Sequence, residues 1–360
     1  MTPEAMLSRL VGFPSVVGTP NGALMEFVAD HLRGHGIAPT LLRGPEGDRF
    51  NLFATIGDPS RAGVILSGHV DVVPAGEPEW LADPFLLRED GDRLIGRGAC
   101  DMKGFVAAVL SSVPDLIASG ATIHIALSYD EEAGCRGVPH LIAALPDLCA
   151  PPSGCIVGEP SGLVPVLAHK GKAAIRLISS GRPAHSSRPD LGVNAIHALL
   201  PALAAAEAQA RALEHGPQDE RFVPPYSTIQ IGTVKGGQAI NIVPGHAEAE
   251  VEARAIHGVD PRSLLEPVLA AGVPAEWLSS YPALALDRAD PLARLMARVT
   301  SHEPLGAVSY GTEAGLFQQA GIPAIICGPG DIARAHRPEE YLTRTELHET
   351  CAMIRAVAAG

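Results

Sequence analysis

The sequence predicts an α/β fold: a mostly parallel mixed sheet with helices on both faces, carrying an inserted α+β module. Three observations predict it. Short apolar runs, VILSG, TIHIALS, GCIVG and IPAIICG, alternate with helical stretches, which is the pattern of strands buried on both faces. Near residue 170 this gives way to strict apolar/polar alternation, and near 280 the first pattern resumes. Across 360 residues, 46% are hydrophobic and 19% charged, enough apolar surface for a packed core.

The elements follow in order. GALMEFVADHLRGHG places Leu24, Phe27, Val28 and Leu32 on one helical face, with Gly34 as a stop. VILSG and TIHIALS read as strands, GFVAAVLSSVPDLIASG between them as helix, and GCIVG as the next strand. KAAIRLIS then opens the insert as a strand, followed by a helix from about Gly192 to Glu214. STIQIGTV and HAEAEVEAR alternate as strands with one wet face. A helix over PRSLLEPVLAAG and a short strand around Glu276–Leu278 complete a β-α-β-β-α-β series, the ferredoxin-like order. The expected division is a larger domain over residues 1–169 and 281–360, interrupted by a module over 170–280.

Charge narrows the partners. The formal net charge of -13 argues against nucleic acid and against an anionic membrane surface. No apolar run approaches the length of a membrane span, and MTPEAMLSRLVGF lacks the basic and long apolar regions of a signal peptide, so a cytoplasmic location is expected. Six cysteines without CxxC spacing, mostly in apolar runs, read as reduced buried thiols.

The acidic and imidazole residues sit where chemistry would. In SGHVDVVP, residues 67–74, an apparently buried strand delivers His69 and Asp71 to the same side, since side chains alternate along an extended chain. A carboxylate beside an imidazole can fix its tautomer, for a metal or for a proton. TIHIALS runs into Asp130, Glu131 and Glu132, and GCIVG into Glu159. Three strands thus send acid or imidazole to their carboxyl ends, where open α/β sheets gather ligands. GRGACDMKG puts Asp101 in a glycine-rich loop before a helix, and ARAHRPEEYL puts His336 after the last strand. Imidazole mixed with carboxylate suits zinc, and also cobalt or manganese, rather than a thiolate site. Glu131 and Glu132 face apart on an extended segment, so one ligand and one free base is the economical division.

GHVDVVP, W-x-x-DPF (Trp80, Asp83, Pro84, Phe85), GRGACDMKG, DEE, GEP, AHSS, GGQAINIVP, YGTEA and GPGDIARAHRPEEYL appear in that order over nearly the whole chain. Together they resemble the dinuclear zinc aminoacylase and carboxypeptidase (M20) family. The run PYSTIQIGTVKGGQAINIVP and the tail are most similar to its members that deacetylate N2-acetyl-L-ornithine in arginine biosynthesis. The resemblance implies two zinc ions per subunit, with cobalt as a substitute: one held by His69 and Glu159, the other by Glu132 and His336, with Asp101 bridging. It makes Asp71 the partner of His69, Glu131 the general base on the shared water, and the Asp101–Met102 peptide cis. It makes the insert a lid and dimerisation domain of a homodimer, from which His185 reaches the partner's site to stabilise the oxyanion. Asn241, Arg254, Thr312 and Gly311 would contact an N-acyl amino acid, Arg254 through its carboxylate. Cys100 and Gly311 depart from familiar members; Cys100 would add an oxidation liability near the metals, and Gly311 leaves side-chain selectivity open.

Other substrates of the family are rivals: N-succinyl-diaminopimelate, other N-acyl amino acids or dipeptides. A succinyl group would want a further cation, which Arg188 or Lys170 could supply. A silent metal-binding homologue would lack the base or a ligand, and none is missing. A nucleotide-binding protein would need a Walker loop or GxGxxG after the first strand, and neither is present.

Overall fold

The computed structural model describes residues 1–308 and 310–360 and divides into two compact units. The larger comprises Met1–Ala168, Ala285–Gly306 and Thr312–Gly360; the inserted one comprises His169–Leu284 with Ala307–Gly311. The insert is therefore slightly longer than residues 170–280, and a short second excursion ending at Gly311 had no signal in the sequence.

The larger unit is built on a six-stranded mixed sheet in the order Thr40–Arg43, Phe50–Ile56, Ile123–Ser128, Val64–His69, Gly154–Pro160 and Ala324–Gly328. The last four are mutually parallel, and Phe50–Ile56 joins antiparallel. Ile123–Ser128 and Gly154–Pro160 are buried along their whole lengths, as their unbroken apolar runs require. Leu52, Ala54, Leu66, Ile125 and Ile156 enter one core cluster with residues of helices Pro3–Val11, Gly22–Gly34, Gly104–Ser111 and Arg344–Ala359. The alternate residues Phe53, Ile65, Ala126 and Val157 are buried too, on the side where Val138–Leu148 and Ala314–Gln319 pack. Helices thus cover both faces.

Local chemistry sets the helix ends. Thr343 and Glu346 form a capping box at the start of Arg344–Ala359, and the Asp290 side chain caps Pro291–Thr300. The predicted helix over 104–120 divides at Ser112 into Gly104–Ser111 and Val113–Ser119, with Pro114 in the first turn of the second.

In the inserted unit four antiparallel strands lie in the order Thr228–Gly236, His246–Ala255, Gly171–Ser180, Ala275–Tyr281. That is the ferredoxin-like order. Strand His246–Ala255 alternates buried with half-exposed residues: Ala247, Ala249, Val251 and Ala253 join the core beneath helix Ala195–Leu213. Its other face carries charge pairs, Arg176–Glu250 and Lys172–Glu252. The second predicted helix is only a 3-10 turn, Ser263–Leu265, followed by Glu266–Leu269, where Pro267 prevents one continuous helix. Among the described residues no single helix is long and apolar enough to cross a membrane.

Candidate metal centre

Five segments of the larger unit converge at the carboxyl ends of its parallel strands. His69 ends Val64–His69, Glu131 and Glu132 follow Ile123–Ser128, and Glu159 lies at the end of Gly154–Pro160. Asp101 comes from the loop before Gly104–Ser111, where Gly98 takes a φ of 79° at the turn. The Asp101–Met102 peptide is cis, as the resemblance implied. His336 arrives from the loop after Ala324–Gly328 with a φ of 59°, and Asp130 has a φ of 50°. Such left-handed backbone in non-glycine residues stores strain and concentrates at functional sites.

Asp101 occupies the middle. Its Oδ1 lies 3.0 Å from His69 Nε2 and its Oδ2 3.3 Å from His336 Nε2, so each carboxylate oxygen faces a different histidine. His69 Nε2 is also 3.7 Å from Glu159, and His336 Nε2 is 2.8 Å from Glu132. Donor atoms of His69, Asp101 and Glu132 lie within 4.8 Å of one another, and so do those of His69, Glu131 and Glu159.

Electrostatics mark the cluster as short of positive charge. Burial and the neighbouring carboxylates push Glu159 well above the usual carboxylate range, and burial also raises Glu132. Burial, with Glu132, Asp71 and Asp101 nearby, pushes Glu131 up to about 8. His336 is raised to about 10 by its hydrogen bonds to Asp101 and Glu132. His69 rises despite burial, through Asp101, Asp71 and Glu159. Protonated imidazoles here stand where cations would balance the carboxylates.

The donor set fits metal ions on a further observation. His69 Nδ1 is 2.9 Å from the Asp71 carbonyl oxygen, which can only accept, so Nδ1 carries a proton and Nε2, facing Asp101 and Glu159, is the nitrogen that would give up its proton to bind an ion. This differs in detail from the expected pairing through the Asp71 side chain. The Asp71 carboxylate is 3.6 Å from His69 Nδ1, and its oxygens accept the Glu131 and Glu132 N–H groups, each at 3.1 Å. Strand alternation does bring Asp71 near His69, but the turn after Ser128 presents two unpaired amides that take the carboxylate.

Three further residues had no assigned place in the sequence reading. Glu313, buried, accepts hydrogen bonds from Ser67 Oγ at 2.5 Å and Ser128 Oγ at 2.7 Å, joining the strands that deliver His69 and Glu131. Cys135 Sγ is 3.3 Å from Glu131 Oε1. Arg49 and the Gly18 amide hold Asp130. Cys100, expected as an oxidation liability, is fully buried, and its thiol is pushed up by burial and by Glu340 and Asp101. A protonated, enclosed sulfur is a poor nucleophile, so that expectation is corrected.

The expected substrate residues fall in two places. On the inserted unit, His185 is exposed, with Nδ1 2.8 Å from Ser187 Oγ, and the neighbouring Ser186 amide donates to the Asn241 carbonyl. Arg254 donates through Nε to Glu252 at 2.8 Å and lies 3.3 Å from Tyr281 OH. Gly311 lies under the same ring: a Cβ there would fall 2.4 Å from Tyr281 OH, so no larger residue fits. Thr312, on the larger unit, is fully buried and its Oγ1 accepts the Ala314 N–H.

A model of the peptidase family M20/M25/M40 matches residues 65–359. The chain belongs to that family. It is 32% identical to an acetylornithine deacetylase of Proteus mirabilis over 95% of this chain and 92% of the relative. It is also 32% identical to one from Myxococcus xanthus over 99% and 96%. Among solved structures it shares its fold with an M20 family metallo-carboxypeptidase of Sulfolobus solfataricus, with a TM-score of 0.80 at 20% identity over 100% and 99% of the two chains. A dinuclear metal-binding M20 peptidase of Bacillus subtilis superposes with a TM-score of 0.66 at 16% identity over 99% and 96%. This M20 chain is a hydrolase acting on amide bonds.

Proposed function

We propose that this chain hydrolyses N2-acetyl-L-ornithine to L-ornithine and acetate at a site for two zinc ions. The observation that carries the reading is Asp101, whose two oxygens face His69 and His336 separately. His69 and Glu159 would hold one ion, Glu132 and His336 the other, and Asp101 would lie between them. Bound there, the ions would supply Lewis acidity, acidifying water and polarising an acyl carbonyl. Curated relatives named acetylornithine deacetylase, 30–32% identical over nearly the whole chain, support the substrate.

The chain's own residues divide the remaining work. Glu131 is held by its backbone to Asp71 and is not needed as a ligand, which leaves its carboxylate to take a proton from water and return it to the departing amine. His185, exposed on the inserted unit, is the donor assigned to the oxyanion, acting in a homodimer across to the partner's site. Arg254, its fork ordered by Glu252 and Tyr281, is assigned to the substrate carboxylate.

The two cations that a succinyl group would want already have partners within the inserted unit, which favours the acetyl reading without excluding the other. The Lys170 ammonium donates to the Pro224 and Tyr226 carbonyls, and the Arg188 fork pairs with Asp190. The test is amine release from N2-acetyl-L-ornithine by zinc-loaded protein, beside N-succinyl-diaminopimelate and a chelated blank. Metal-dependent turnover preferring the acetyl substrate supports the reading. Turnover of the succinyl compound alone overturns the substrate and keeps the reaction.

A further inference from the structure

We infer that Glu340 is a positioning residue for the metal centre, holding the backbone of Asp101 in register through two amide hydrogen bonds, and that Arg97 locks Glu340 in place. The inference rests on the reading of Asp101 and His336 as metal ligands.

Glu340 Oε1 accepts the N–H of Cys100 and the N–H of Asp101, each at 3.0 Å. Its other oxygen, Oε2, receives Arg97 Nη1 at 2.9 Å, and both side chains are 1% exposed. An unpaired carboxylate so deeply buried would be costly, and an unpaired guanidinium equally so; each is the other's partner. Glu340 touches no proposed ligand atom. It acts on the main chain that carries one.

The geometry is a two-point grip. His336 faces the Asp101 carboxylate, while Glu340, four residues further on, takes its amide. One short segment, residues 336–340, thus holds the bridging residue by side chain and backbone together. The arrangement has a counterpart across the site, where the Asp71 carboxylate collects the amides of Glu131 and Glu132. In both places a carboxylate that binds no ion gathers two consecutive N–H groups of a ligand-bearing turn.

Arg97 extends the grip to motifs that the reaction leaves unexplained. Its Nη1 also donates to the Arg337 carbonyl at 3.3 Å, and its Nη2 to the Pro74 carbonyl and to Glu77, each at 3.2 Å. Its guanidinium lies 5.2 Å from the centre of the Trp80 ring, and its backbone amide donates to Pro84. GHVDVVP, W-x-x-DPF, GRGACDMKG and HRPEEYL therefore meet at one planar cation. Only arginine offers a rigid fork that can serve a carboxylate, a second acid and two carbonyls at once.

The test separates positioning from mere stability. Protein stripped of metal is titrated with Co2+, followed by visible absorbance, while amide exchange of residues 99–103 is measured by mass spectrometry. Glu340→Asp keeps the charge but withdraws it from the amides; Glu340→Gln keeps an amide oxygen in reach. The Asp variant should bind Co2+ about 10- to 100-fold more weakly, in the range of lost supporting contacts at metal sites, with faster exchange over 99–103. The Gln variant keeps an acceptor for the amides but leaves Arg97 without its carboxylate, so it should fall below the parent yet bind Co2+ more tightly, and exchange more slowly over 99–103, than the Asp variant. Glu340→Ala should fall with Asp, and if it fails to fold, the Asp and Gln pair still decides. Parent-like Co2+ affinity in Glu340→Asp would overturn the inference. Absence of Co2+ uptake by the parent would instead remove the reading beneath it.

Discussion

The Asp71 carboxylate and the Glu131 amide are joined at 3.1 Å, with the Glu132 amide on the other carboxylate oxygen at the same distance. A residue foreseen as a partner for histidine thus holds the segment that carries Glu131 and Glu132. Asp71→Asn would keep the volume but bring an NH2 group against one of those amides. It should weaken metal affinity about 10- to 100-fold and lower kcat, as loss of a supporting contact does. Unchanged affinity and rate in Asp71→Asn would show that the turn needs no such anchor.

Glu131 is predicted to matter for turnover and not for metal content. Glu131→Gln should retain both ions and lose about 10²- to 10⁴-fold in kcat, the usual worth of a positioned base. Metal analysis beside steady-state kinetics checks it. Loss of an ion in this variant would make Glu131 a ligand, a role that its proximity to His69 and Glu159 allows.

How much of this was legible depends on sequence distance. The strand-end residues His69, Asp130–Glu132 and Glu159 show in the sequence because each follows directly on an apolar run. The insert shows because alternation in HAEAEVEAR is a local pattern. Ser67 and Glu313 are 246 residues apart, and Asp101 and Glu340 are 239 apart; no periodicity links such pairs, and each member alone reads as an ordinary polar residue. Lys170 looked available for a substrate because nothing local announces that the Pro224 and Tyr226 carbonyls would enclose its ammonium.

Stability should respond to pH through His124, far from the ligands at the opposite end of its strand. It is fully buried, stacks on Phe53, and bonds Thr55 Oγ1 at 2.9 Å through Nδ1, while Nε2 has no partner. Burial lowers its pKa from 6.5 to about 4. With the folded value depressed, the unfolded chain binds the extra proton first. The contribution is therefore complete above about pH 6.5 and is lost as pH falls towards 4, by about 3 kcal/mol. His169, also lowered to about 4 by burial, acts in the same direction, so a variant is needed to separate them. Denaturant unfolding between pH 7 and 4 should show a shallower decline for His124→Gln. Parallel curves for the two proteins would contradict the assignment.

The central claim is that Asp101 joins two metal positions, and direct titration of metal-free protein with Zn2+ by calorimetry tests it. Two ions per chain are expected in the parent, with weakened binding of both in Asp101→Ala. A single ion in the parent, or two that bind Asp101→Ala as tightly, would contradict it.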